Sequence, residues 1–281
     1  MAILIADSGG TKTSWVYVSH TGRLELQTPG LHPFYMGSAD MLHVLHRTLL
    51  PAMQAHAAPE AVFFYGAGCS SEEKKQIVAA ALKTCFPHAR LEIEHDMLGA
   101  ARALWQDQQG IAAILGTGAN VCLYDGKTVV SNPPSLGFWL GDEGSGAYLG
   151  REWVKAYLHA LLPPTLQEAF RMRYHLSIED VLRAAYHEAH PNRYFAQFVP
   201  FIKEHLSNEW VAGFVRHAFE LFFERYLCKI EGYYLYPAAF TGSVAYHFQE
   251  LLLAVAQNFD VQVQRIEQSP LPGLLKYHKV I

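Results

Sequence analysis

The sequence predicts an α/β protein in which one architecture is built twice, with a cleft between the halves. Three observations carry this. An apolar run at residues 2–6 ends in the turn Asp7-Ser8-Gly9-Gly10-Thr11, and a second apolar run at 111–115 ends in Gly116-Thr117-Gly118. Each turn is followed by two further strand-like segments, and then by helices and strands in the same order. Two such units in register argue for duplication, with both glycine turns facing the cleft.

The elements follow in order. Residues 2–6 (AILIA) read as a buried strand, 13–19 (TSWVYVS) alternate as a second, and 23–28 (RLELQT) follow the turn His20-Thr21-Gly22 as a third. A helical pattern covers about 39–55, with Leu42, Leu45, Leu49 and Met53 on one face. A strand at 61–66 (AVFFYG), a helix at about 71–86, a strand at 89–94 (ARLEIE) and a helix at about 97–106 complete the first half. The second half repeats the opening with strands at 111–115 (IAAIL), 120–124 (NVCLY) and 127–131 (KTVVS). A strand at 238–241 (AAFT), a helix at about 244–257, a strand at 260–265 (DVQVQR) and a short final helix close it. The lobes are therefore expected over 1–107 and 108–281, the second carrying a mostly helical insertion at about 144–230. Pro133-Pro134 and Pro163-Pro164 read as loops inside that lobe.

Composition narrows the function classes. Of 281 residues, 51% are hydrophobic and 17% charged, which suits a packed core and argues against disorder. The net charge of −4 and the lack of a basic face argue against nucleic acid. Four scattered cysteines form no C-x-x-C pair, so reduced thiols in a cytoplasmic protein are expected rather than zinc or disulfides. The chain reaches Asp7 too early for a signal peptide, and no segment approaches membrane-spanning length.

The glycine turns carry the chemistry. Neither is a Walker A loop nor a dinucleotide turn, since both lead into strands rather than helices. A tight hairpin can still present backbone N–H groups as an anion nest, provided glycine lets a phosphate come close. A threonine hydroxyl adds a donor, and Asp7 at the strand end suits Mg²⁺ bound through its water shell. Asp96, at the carboxyl end of a strand, is either the cap of the next helix or a group facing ligand.

The stretches IADSGGTKT, HDMLGAARAL, ILGTGAN, GFWLGDEGSGAYLG, FTGSVAYHF and SPLPGLLKYH run through nearly the whole chain. In this order they resemble the bacterial branch of the N-acetylglucosamine kinase-like family, grouped with the BadF/BadG-type ATPases. The resemblance implies a duplicated ribonuclease H-like fold of the actin/hexokinase type, two lobes with a central cleft. It implies ATP with Mg²⁺, the latter at Asp7, and phosphate or nucleotide contacts from Gly9, Gly10, Thr11, Lys12, Gly116, Thr117, Gly118, Gly242 and Ser243. Lys12 also reads as a solvated lysine. For the sugar it implies Asp96 as general base, and Asp142, Gly137, Ala119 and Asn120 as contacts. A carboxylate suits sugar hydroxyls because each hydroxyl can donate to it. Glu143 would stabilise the loop, and Phe138 and Trp139 read equally as core or as sugar platform.

One departure stands out. Where relatives read G-x-N-P, this chain reads Gly30-Leu31-His32-Pro33, so His32 would take the asparagine's place at the sugar. The expected activity is ATP-dependent phosphorylation of an N-acetylated amino sugar, foremost the 6-hydroxyl of N-acetylglucosamine. N-acetylmuramic acid and glucosamine are the alternatives within the class. Beyond it stand an activator ATPase, which would need cluster-ligating cysteines, and a sugar-sensing regulator, which would carry a DNA-binding extension. The expected partners are a small sugar and ATP, not nucleic acid or membrane, and a homodimer is left open.

Overall fold

The computed structural model describes residues 2–20 and 22–280, so Thr21 of the turn expected at His20-Thr21-Gly22 lies outside the described residues. The first half runs β1 (Ile3–Ser8), β2 (Lys12–Ser19), β3 (Gly22–Pro29), α1 (Ser38–Met53), β4 (Ala61–Gly66), α2 (Glu72–Cys85), β5 (Arg90–His95) and α3 (Asp96–Trp105). Next come β6 (Gly110–Leu115), β7 (Ala119–Tyr124), β8 (Val129–Ser131) and a single helical turn, α4 (Gly137–Leu140). The helical stretch holds α5 (Gly146–Leu158), α6 (Pro164–Tyr174), α7 (Ile178–Tyr186), α8 (Pro191–Ala196), α9 (Val199–Glu204) and α10 (Glu209–Arg225). The chain ends with β9 (Ala238–Thr241), α11 (Ser243–His247), α12 (Gln249–Asn258), β10 (Val263–Glu267) and α13 (Leu271–Tyr277).

The duplication is visible in the strand order. One sheet runs β3-β2-β1-β4-β5 and the other β8-β7-β6-β9-β10, the same order with each strand replaced by its counterpart. In the first sheet β1 pairs antiparallel with β2 and parallel with β4, and β4 pairs parallel with β5. β1 is apolar on both faces because both faces are covered. Leu4 and Ala6 pack with Met41, Leu45 and Leu49 of α1, while Ile3 and Ile5 pack with Ala103 of α3 and with Leu274 and Leu275 of α13.

Two compact units result: residues 1–112, 123–130 and 269–281 form the first, and 113–122 with 131–268 form the second. The division differs from a cut at 107/108. The reason for the returning C-terminal segment is apolar: Leu274 and Leu275 are fully buried in the core around Ile3, Ile5 and Phe63. In the second unit the helical stretch has its own aromatic centre, where Trp153 meets Phe170, Phe201, Trp210 and Phe214.

Three elements differ from the sequence expectation. The helix expected at 244–257 breaks at Phe248, which is buried and closes α11 before α12 begins. The last strand lies at 263–267 rather than 260–265; it is the largely exposed edge of its sheet, so burial does not fix its register, and pairing with β9 does. β8 is shorter than expected, starting at Val129. Among the described residues no helix is long and apolar enough to cross a membrane.

Candidate active site

In the first unit the parallel strands β1, β4 and β5 end in register, with Ser8 beside Gly66 and Gly66 beside His95. Their carboxyl ends carry Asp7, the first glycine turn and Asp96 to one edge of the sheet, where open α/β sheets bind ligands. Ser8 and Thr13 lock the hairpin at this edge. Their hydroxyls lie 2.7 Å apart, both are buried, and both accept from the Leu31 N–H at 3.2 Å. That clamp ties the segment bearing His32 to the hairpin, and no local sequence pattern signals it.

The first turn closes with Gly9 N donating to Lys12 O at 3.0 Å. A Cβ on Gly9 would meet nothing closer than 3.9 Å, and one on Gly116 would meet nothing within 4 Å. Neither backbone is left-handed, so neither turn geometry nor packing requires glycine at these positions. What glycine leaves there is open backbone, the property that close approach of a phosphate needs.

Asp7 is half-buried, and its carboxyl is pushed up to about 7 by burial and by the charge of Asp96, with Lys12 working against both. A nearby cation would relieve this. Among the described residues no group of three or more His, Cys, Asp or Glu side chains is placed to hold a metal. A single carboxylate of this kind suits a hard cation that keeps much of its water shell, as magnesium does. Lys12 itself is exposed.

Asp96 is the first residue of α3, not its cap. The cap is His95, whose Nδ1 accepts from Met97 N at 3.1 Å and also lies 3.0 Å from Asp96 Oδ1. Burial alone would raise the Asp96 carboxyl, but His95, the Met97 N–H and His32 outweigh it and hold the group below the usual carboxylate range. His95 in turn sits above its ordinary value, because the attraction of Asp96 outweighs its own burial. His32 Nδ1 accepts from Phe34 N at 3.3 Å, which leaves the proton of a neutral ring on Nε2. The His32 ring lies over Gly68, where a Cβ would come within 2.6 Å of it.

In the second unit the glycine turn and the acidic loop form one body. Gly146 N donates to Gly116 O at 2.8 Å, and Ala147 N to Thr117 O at 3.1 Å, so the first turn of α5 is spent on the carbonyls of the glycine turn. Ser145 caps α5 by accepting from Tyr148 N at 3.1 Å. Asp142 lies against Gly118 and Ala119, with Oδ1 3.4 Å from Ala119 N. Asn120 Oδ1 accepts from Asn132 Nδ2 and Val121 N, each at 2.9 Å, so its amide N–H groups are what it can offer outward. Ser135 Oγ donates to Ala119 O at 3.2 Å and anchors the approach to Gly137, whose φ of +70° favours glycine. Gly242 also adjoins the turn: a Cβ there would stand 3.0 Å from Gly116 N. Ser243 is exposed at the start of α11. Trp139 is 52% exposed and stacks on Tyr186, so it is not a core residue.

The structure thus groups Asp7, Lys12, His32 and Asp96 in one unit, and Gly116, Thr117, Gly118, Ala119, Asn120, Gly137, Asp142 and Gly242 in the other. Sequence reasoning missed His95, although it directly precedes Asp96. It also missed Arg225 and Tyr226, which bind the Glu143 carboxylate from the end of α10 and which no local spacing could reveal.

A doubled sheet of this order with glycine turns after the first strand of each copy defines an α/β protein of the actin/hexokinase type. No known family profile matches the chain, and no curated protein matches it in sequence. Solved structures do. A protein from Porphyromonas gingivalis provisionally assigned as an N-acetylglucosamine kinase is 41% identical, with 98% of each chain covered and a TM-score of 0.93. The chain belongs to the N-acetylglucosamine kinase-like family. A protein of the same provisional assignment from Chromobacterium violaceum superposes at a TM-score of 0.77 with 19% identity, covering 98% of each chain. A ROK family glucokinase from Streptomyces griseus, in complex with glucose and AMPPNP, shares the fold at a TM-score of 0.57 and 13% identity, over 100% of this chain and 99% of its own.

Proposed function

We propose that the protein is an ATP-dependent kinase that phosphorylates a hydroxyl of an N-acetylated amino sugar, foremost the 6-hydroxyl of N-acetylglucosamine. The observation that carries this reading is Asp96: an ionised carboxylate at the carboxyl ends of the parallel strands β1, β4 and β5, in a family of sugar kinases, with two histidines beside it. Phosphoryl transfer asks little covalent chemistry of a protein; it asks for alignment and charge neutralisation.

Asp96 accepts the proton of the acceptor hydroxyl, and its low basicity suits a transition state in which that proton leaves late. His32 donates through Nε2 to a second sugar hydroxyl, while Asp142 accepts from others. Asn120 contributes its amide N–H groups, and Ala119 and Gly137 line the sugar with backbone. The turns Gly9–Lys12 and Gly116–Gly118 offer backbone N–H groups and the hydroxyls of Thr11 and Thr117 to the phosphates, with Gly242 and Ser243 towards the nucleoside. Asp7 would hold a magnesium ion, which when bound neutralises phosphate charge. The cytoplasm, where ATP is abundant, is the fitting compartment, and a homodimer is compatible with this reading.

A coupled ADP-release assay over a panel of N-acetylated, free-amino and plain hexoses tests the reading. The expected result is turnover that depends on the sugar and is fastest with N-acetylglucosamine. ADP release at the same rate with and without every sugar would overturn it.

A further inference from the structure

Asp142 has a backbone conformation uncommon outside glycine, which aspartate tolerates better than most residues. Its φ is +60°, in the left-handed region, and it is buried, with 7% of its surface exposed. The end of α10 supplies contacts that fix it there. The Asp142 N–H donates to the Tyr226 hydroxyl oxygen at 3.1 Å, and that hydroxyl donates its own proton to Glu143 Oε2 at 2.6 Å. The second Glu143 oxygen accepts from Arg225 Nη1, so a carboxylate only 3% exposed has both oxygens engaged. Burial and the Glu143 carboxylate push the Tyr226 hydroxyl above its ordinary pKa, which keeps its proton in place as donor.

The surrounding chain is shaped to this hydroxyl. A Cβ on Gly141 would stand 2.5 Å from it, so the residue before Asp142 has room for no side chain. Gly144, at φ +80°, lets Phe222 of α10 approach, its Cβ 3.0 Å from where a Gly144 Cβ would be. The end of α10 therefore grips the loop at three points: Phe222 on Gly144, Arg225 on Glu143 and Tyr226 on both Asp142 and Glu143. The outcome is the direction of the Asp142 carboxylate, whose Oδ1 lies 3.4 Å from Ala119 N.

We propose that Tyr226 is a positioning residue for acceptor binding: its hydroxyl, 84 residues downstream in the chain, holds Asp142 in the left-handed conformation that presents its carboxylate beside the second glycine turn. The proposal rests on the reading of Asp142 as the group that accepts the sugar hydroxyls. Without the hydroxyl, the Asp142 N–H loses this hydrogen bond, and the carboxylate is held less firmly beside the second glycine turn. Arg225 alone cannot prevent this, since it reaches Glu143 and not the Asp142 backbone.

The test compares the wild-type chain with Tyr226→Phe by two readouts. The first is amide hydrogen exchange across residues 141–145, which reads the Asp142 hydrogen bond with no reference to activity. The second is steady-state kinetics with N-acetylglucosamine and ATP. The expected result is faster exchange at Asp142, a roughly tenfold rise in KM for the sugar (about 1.4 kcal/mol), and a KM for ATP within about twofold of wild type. Unchanged exchange at Asp142, or faster exchange with an unchanged sugar KM, would overturn the proposal. Equal rises in both KM values would also overturn it, as they would mark general loosening of the fold. If wild type transfers phosphate to no sugar, the kinase reading falls, and the exchange readout still decides whether Tyr226 holds Asp142. Should Tyr226→Phe not fold, Glu143→Gln keeps the tyrosine but weakens its proton acceptor. It is expected to move the same two readouts in the same direction by a smaller factor, and no movement would count against the proposal.

Discussion

His95 Nδ1 lies 3.0 Å from Asp96 Oδ1 and 3.1 Å from the backbone nitrogen of Met97, so one ring nitrogen serves two neighbours that need opposite things from it. Accepting from Met97 requires a lone pair, and donating to Asp96 requires a proton. Protonated His95 strengthens the ion pair and weakens the helix cap, while neutral His95 does the reverse. The carboxylate that the kinase reading needs as base is thus tuned by its own sequence neighbour.

The first prediction concerns that pair. In His95→Asn the new side chain still caps α3, since asparagine is a strong N-cap, but the positive charge is gone. Asp96 is held low by His95, so removing His95 raises it, and the acid limb of kcat/KM moves to higher pH. Activity at alkaline pH should change little. A pH–rate profile with an unmoved acid limb would show that His95 does not tune Asp96.

Asp96→Asn removes the base and keeps the shape. We expect a loss of at least about a hundredfold in kcat with the KM for ATP preserved, which is the scale of general-base assistance. Single-turnover kinetics with near-normal rates would take Asp96 out of this role.

Asp7 gives a stability signature. In the unfolded chain it releases its proton near 3.8 and in the folded protein near 7, so rising pH between these values costs stability, and above 7 the loss is complete. Thermal unfolding without metal should show this decline between about pH 4 and 7, and magnesium with nucleotide should oppose it near neutrality. Asp7→Asn should flatten the same stretch of the curve; an unaltered slope would remove Asp7 as its cause.

Two glycine substitutions should behave oppositely. Gly9→Ala places a Cβ in open space, so the melting temperature should hold or rise slightly while the KM for ATP increases about tenfold. Gly242→Ala forces a φ of +119° on alanine and sets its Cβ 2.3 Å from Leu115 O. It should destabilise the fold by about 1–3 kcal/mol, seen in denaturant unfolding. Unchanged ATP affinity in Gly9→Ala would leave the first turn as a mere connection.

Much of the fold around the candidate site was legible because its elements are local. The runs ILIA and IAAIL, each ending at a glycine turn, mark strands buried on both faces, and a duplicated order needs only the comparison of two segments. β4 and β9 lie where their apolar runs place them for the same reason. The edge strand β10, mostly exposed, has no such anchor, and its bounds moved. Phe248 looks like one more apolar residue in a helical run, yet its backbone, at φ −113° and ψ 24°, leaves the helical range and ends α11 there.

The sequence by itself determined that the chain is α/β, doubled, and furnished with two glycine turns and the acids Asp7, Asp96 and Asp142, because apolar periodicity and turn residues act over a few positions. Tertiary structure alone decided that α13 packs against β1, that Ser8 and Thr13 clamp the His32 segment, and that Tyr226 holds Asp142. Each of these joins residues far apart in the chain. Such partners are selected by shape and unsatisfied hydrogen bonds that exist only once the sheets and helices have packed.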